Sequence, residues 1–111
     1  MEALADLLKA MAHPARLQIL DILRRGEICV CHIENALGKR QPYISQQLMV
    51  LRDAGVVESR KDGLQVYYRI VDPRVPPLLD AMLGAADQTR FTPLPGCTCP
   101  ACVSIALIAV H

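Results

Sequence analysis

Five cysteines carry the reactive chemistry of this 111-residue chain, and they fall into two groups. Cys29 and Cys31 stand one residue apart in "GEICVCHIEN", residues 26–35, while Cys97, Cys99 and Cys102 crowd the later stretch "GCTCPAC". Thiols at such spacing can bind a soft ion, pair as a disulfide or act as a redox couple. An odd number argues against a disulfide framework. So does the compartment: "MEALADLLKAMAHPARL" has acidic residues in its first turns and polar residues at helical spacing, unlike a signal peptide or a membrane span. The late apolar run "VSIALIAV" is too short to cross a bilayer. The expectation is a cytoplasmic protein with no membrane partner, where thiols stay reduced.

The elements that must position these thiols follow from hydrophobic periodicity. Leu4, Leu7, Leu8 and Met11 fall at helical spacing, and "HPAR" then places Pro14 in the first turn of a second helix, running to about Arg25. "ICVCHIENALG" reads as a short third helix closed by Gly38. In "KRQPYISQQLMVLRDAG", Pro42 suits a first turn, Ile44, Leu48 and Leu51 make the apolar stripe, and Gly55 ends the fourth helix. From Val56 the period changes to two, and "VVESR" and "QVYYRI" flank "KDGL" as the strands and turn of a hairpin. Asp72 and Pro73 then introduce a fifth helix with Val75, Leu78, Leu79, Met82, Leu83 and Ala86 on its stripe.

Hydrophobic residues make up 52% of the chain but aromatics only 4%, so aliphatic side chains build the core and favour helices. A net charge of +1 excludes a polybasic protein that holds nucleic acid by bulk charge alone. Any basic surface must be local. The order helix, helix, short helix, polar-faced helix and hairpin predicts a mainly α winged helix-turn-helix over residues 1–88, with residues 89–111 as a cysteine-containing tail. In that architecture the fourth helix enters the major groove and the wing follows the backbone. Gln41, Ser45, Gln46 and Gln47 carry the amide and hydroxyl groups that pair with base edges, and Tyr43 shares their face. Arg40, Arg60 and Lys61 are placed for phosphates.

At this point the chain resembles the ArsR/SmtB family of metal-responsive repressors. The resemblance runs through "LKAMAHPARLQILDIL", "GEICVCHIENALG", "QPYISQQLMVLRDAGVVESRKDGLQVYYRI" and the closing helix, about residues 4 to 87. It implies a homodimer, joined through the first and last helices, that represses transcription on double-stranded operator DNA and releases it when an ion binds. The chain departs from many relatives in its recognition helix, where Ser45-Gln46-Gln47-Leu48 replaces a pattern like Ser-Arg-His-Leu. Operator sequence therefore does not carry over.

The "CVC" of Cys29, Val30 and Cys31 matches the family's thiolate site on the third helix. A helix start favours the thiolate through unpaired amides and a partial positive charge. Residues i and i+2 of a regular helix point to roughly opposite sides, so either Cys29 precedes the helix or an ion must distort the turn. Two thiolates are too few for a tight site, since a tetrahedral ion takes about four ligands. Arsenite-sensing relatives often have a third cysteine where this chain has Glu34, and cadmium and lead sensors carry extra cysteines in an N-terminal tail that is cysteine-free here. The remaining ligands must come from Cys97, Cys99 or Cys102, whose tether 88–96 could extend roughly 30 Å. The expected inducer is a thiophilic ion: arsenite or antimonite slightly favoured over cadmium or lead.

Other readings were open to these residues. Cys99 and Cys102 form a Cys-x-x-Cys with a proline inside, so a repressor of the same fold that senses thiol oxidation is the rival. A thiol enzyme would need a βαβ scaffold around that motif, and the sequence there has none, so no enzymatic activity is expected. Zinc sensing at the last helix needs histidine, which the segment from Asp72 to Gln88 lacks. His32 stands beside the cysteine pair, where it could ligate, but reads first as a solvated or capping residue, His13 as structural and His111 as a terminal residue.

Overall fold

A computed structural model describes residues 1–84. The elements run α1 (Glu2–Met11), α2 (Pro14–Leu23), β1 (Ile28–Cys29), α3 (Val30–Leu37), α4 (Gln41–Asp53), β2 (Val57–Asp62), β3 (Gln65–Ile70) and α5 (Val75–Leu83). Among the described residues, five helices and an antiparallel sheet of order β1-β3-β2 make the expected winged helix-turn-helix. Helix boundaries shift by a few residues: α2 stops at Leu23, α3 starts at Val30, and α5 runs from Val75 to Leu83.

Local chemistry explains most of the element ends. His13 holds an extended backbone ahead of α2, and its Nδ1 accepts the Ala15 amide at 3.1 Å, so its structural reading holds. Gly38 terminates α3 with φ 64°, a left-handed conformation that costs a glycine nothing. The hairpin closes with Asp62 opposite Gln65, leaving Gly63 and Leu64 as a two-residue loop. Gly63 has φ 62° as the first central residue, which a type II′ turn requires. Asp72 does not cap α5 directly: its Oδ1 accepts the Arg74 amide at 2.9 Å, and the helix begins at Val75.

One core serves every helix. Ile19, Leu20, Ile33, Ile44, Leu48, Leu51, Val56, Val75 and Leu79 are wholly buried, and they gather α2, α3, α4, the base of the wing and α5 around one centre. Burying a side chain of this size contributes about 1.5–3 kcal/mol relative to leaving it in water. Arg24 adds a polar clasp between distant helices. Its side chain is only 6% exposed, and it donates to Asp21, to Asp80 at 2.7 Å and to the Gly84 carbonyl at 2.5 Å. α2 is thereby fastened to both the last turn and the end of α5.

The outer side of α1 and α5 remains apolar. Leu4, Leu8, Met82 and Leu83 are 42–57% exposed there, beside a hollow of about 240 Å³ that Leu8, Met11, Leu17, Leu78 and Met82 line. Among the described residues no helix is long and apolar enough to cross a membrane.

Candidate nucleic-acid interface and thiol site

α4 separates its two faces cleanly. Ile44, Gln47, Leu48 and Leu51 are buried at i, i+3, i+4 and i+7, while Gln41, Tyr43 and Gln46 are exposed and Ser45 is half-buried. Gln47 therefore leaves the set of base-reading residues. It is 9% exposed and belongs to the inward stripe with Ile44, Leu48 and Leu51. Its position in the helical period was the sequence signal, and its residue type concealed that signal.

Arg40 precedes α4 in an extended conformation, exposed beside Gln41. The Lys39 ammonium lies 5.8 Å from the Tyr43 ring centroid, which orients the ring at the helix mouth by a cation–π contact. On the wing, Lys61 is exposed and Arg60 is half-exposed. Arg60 is also engaged: its Nε and Nη2 donate to the Glu27 carboxylate at 3.2 and 2.5 Å, and its guanidinium lies 4.9 Å from the Tyr67 ring centroid. These contacts fix its direction. The Arg60 hydrogen bond holds the Glu27 carboxyl below its ordinary value, and Glu27 in turn raises that of the guanidinium, so the pair stays ionised.

The thiol pair sits where a strand becomes a helix. Ile28 and Cys29 form β1 against Tyr68 and Tyr67 of β3, and α3 begins at the next residue. "ICVCHIENALG" is thus part strand, and the helix starts two residues later than its composition indicates. Cys29 precedes the helix with φ −76° and ψ 153°. Of the two ways to bring i and i+2 thiols together, the chain uses the first: no turn is distorted. The two Sγ atoms lie 2.8 Å apart in hydrogen-bond contact, with Cys29 donating when the Cys31 thiol hydrogen is given to Gln65. Cys29 is buried at 2% exposure, Cys31 is half-buried, and Cys31 Sγ donates to Gln65 Oε1 at 3.7 Å.

His32 overturns its expected solvated role. It is 8% exposed, and burial pushes its imidazole below the ordinary value of 6.5. Glu34, in the position of the third cysteine of arsenite-sensing relatives, has its carboxyl raised by burial. Among the described residues no three His, Cys, Asp or Glu side chains are grouped to hold a metal. Cys97, Cys99, Cys102 and His111 lie outside the described residues. Glu27, Gln65 and Tyr67, which surround the thiols, carry no local sequence signal. They are brought together by cross-strand register.

This geometry has known counterparts. Residues 13–59 match the family model described as "Bacterial regulatory protein, arsR family". A biofilm growth-associated repressor of Agrobacterium fabrum is 45% identical over 78 residues, covering 70% of this chain and 67% of that protein. An arsenic resistance transcriptional regulator of Pseudomonas putida is 49% identical over 77 residues, covering 68% and 59% respectively. A solution structure from Mycobacterium bovis, described as a homodimeric winged helix-turn-helix DNA-binding domain, superposes with a TM-score of 0.67 at 38% identity, covering 73% of this chain and 75% of that one. The matched region spans the thiol pair, the polar-faced helix and the start of the wing, and on that ground the chain belongs to the ArsR family of bacterial transcriptional regulators.

Proposed function

We propose that the protein is a homodimeric repressor that holds operator DNA through α4 and the wing and lets go when a thiophilic ion binds at Cys29 and Cys31. The convergence of the two sulfurs to 2.8 Å carries this reading. Two thiolates sharing one tetrahedral ion at about 2.3 Å each sit roughly 3.7 Å apart, so the pair needs to open by only about 1 Å to act as a bidentate ligand. The donor chemistry fits a soft ion, and arsenite is favoured over cadmium or lead because three sulfurs suffice for it. One of Cys97, Cys99 and Cys102 supplies the third, and two supply a four-sulfur site.

Dimer formation accounts for the apolar outer side of α1 and α5, where Leu4, Leu8, Met82 and Leu83 would otherwise face water. The described homodimer from M. bovis supports it. Two recognition helices then meet successive major grooves about 34 Å apart. Gln41, Ser45 and Gln46 are placed for base edges, with Tyr43 beside them, and Arg40, Arg60 and Lys61 for phosphates.

Operator binding measured by gel shift, with and without arsenite, cadmium or lead, tests the reading. Release by any of the three is expected, and the Cys29→Ser, Cys31→Ser variant should keep its DNA affinity within about threefold while ceasing to respond. Release by peroxide but by none of the ions would replace it with the thiol-oxidation reading through Cys99 and Cys102.

A further inference from the structure

The segment that bears the thiols is laced to the wing. Cys29 stands opposite Tyr67, and Tyr67 stands opposite Arg60, so the three form one row across the sheet. Arg60 lies over the Tyr67 ring and donates through two nitrogens to Glu27, two residues before Cys29. The row thereby returns to the segment where it began. A second tie runs from Cys31 Sγ to Gln65 Oε1, at the hairpin turn end of β3. By comparison α3 meets α4 through core residues such as Ile33, Ile44 and Leu48, and apolar packing of that kind has no preferred direction.

Resting on the ion-release reading, we propose that the thiol pair signals to DNA through the wing, with Glu27 and Gln65 as positioning residues for Arg60. When Cys31 Sγ bonds to a thiophilic ion its proton passes to solvent, and Gln65 Oε1 loses the hydrogen it accepted. Any shift of residues 27–31 also moves the carboxylate that pins Arg60. A guanidinium contact to phosphate depends on a separation near 3 Å and on angle, so a displacement of about 1 Å at the wing is enough to weaken it.

The test compares the full chain with Glu27→Ala and Gln65→Leu, neither of which removes a sulfur or a core side chain. Fluorescence anisotropy gives operator affinity with and without arsenite, cadmium or lead, and sulfur-to-metal charge-transfer absorption gives ion affinity with and without operator. Ion binding should lower the wild-type operator affinity about 5- to 150-fold, and operator should raise the apparent ion Kd by the same factor, as linkage demands. Each variant should keep the charge-transfer band and the DNA-free ion Kd within about threefold, while both coupling factors collapse to about threefold or less. Arg60→Ala should weaken the ion-free protein, leave the ion-bound protein unchanged, and reduce the salt dependence of binding by about one phosphate contact.

Undiminished coupling in both Glu27→Ala and Gln65→Leu, with the band intact, would overturn the wing route and leave ion release standing. A variant that loses the band also counts against the proposal, because its residue would then be building the site rather than transmitting from it. A wild-type chain whose operator binding ignores all three ions would overturn both readings.

Discussion

Gln41 and Gln46 stand exposed on one side of α4, and nothing in the core depends on their identity. Cys29, a dozen residues earlier, is buried at 2% exposure, paired in the sheet with Tyr67 and in contact with Cys31. The polar side of α4 is held by residues beneath it, while the thiol segment is held by its own members. The contrast teaches that the exposed chemistry of α4 can change by single substitutions, whereas moving the thiols means rebuilding a strand, a turn and a hairpin.

Ile44→Ala should give the largest effect on either region. Ile44 is wholly buried under the polar face, and its loss should destabilise the fold by about 2–5 kcal/mol in urea denaturation. Wild-type stability in that variant would break the picture of an outer face carried by an inner stripe. Gln46→Ala and Gln47→Ala divide the same helix more finely. The first should cost about 1–3 kcal/mol of operator affinity, read by anisotropy, at unchanged stability. The second should lower stability by about 0.5–3 kcal/mol and leave base preference alone, because Gln47 packs in the buried stripe. Reversal of these two results would put the wrong side of α4 against DNA.

The smallest expected effect lies in the thiol segment and depends on pH. Burial lowers the His32 value below 6.5 in the folded chain, so the unfolded chain binds the proton more tightly. Stability should therefore rise with pH from the lowered folded value up to about 6.5, and be indifferent to this group above that. His32→Gln should flatten that slope in denaturation midpoints taken across the window. An unchanged slope would assign the pH dependence elsewhere.

The helices and the hairpin were legible because their periods, 3.6 and 2, are written locally in the chain. Leu48 and Leu51 announce α4, and Asp62-Gly63 announces the turn, without reference to anything distant. β1 was not legible, since two residues have no period and its existence depends on β3 almost forty positions later. The same non-locality concealed the tie between Glu27 and Arg60, which are neighbours only across the sheet. Gln47 was misplaced for a different reason. Its amide chemistry suits an outward face while its place between Ile44 and Leu51 belongs to the inward one, and the continuous inward stripe prevails. His32 was misjudged in the same way, by residue type rather than by its position next to Ile33 in the core.

The two-residue strand β1 also restricts how descendants of this gene can vary. Side chains alternate along a strand and rotate along a helix, so inserting or deleting one codon between Cys29 and Cys31 would put the two sulfurs out of phase across the strand-to-helix junction. Point changes in that stretch can be absorbed by repacking. A length change cannot, and lineages that keep the paired sulfurs should therefore diverge there in letters and never in spacing.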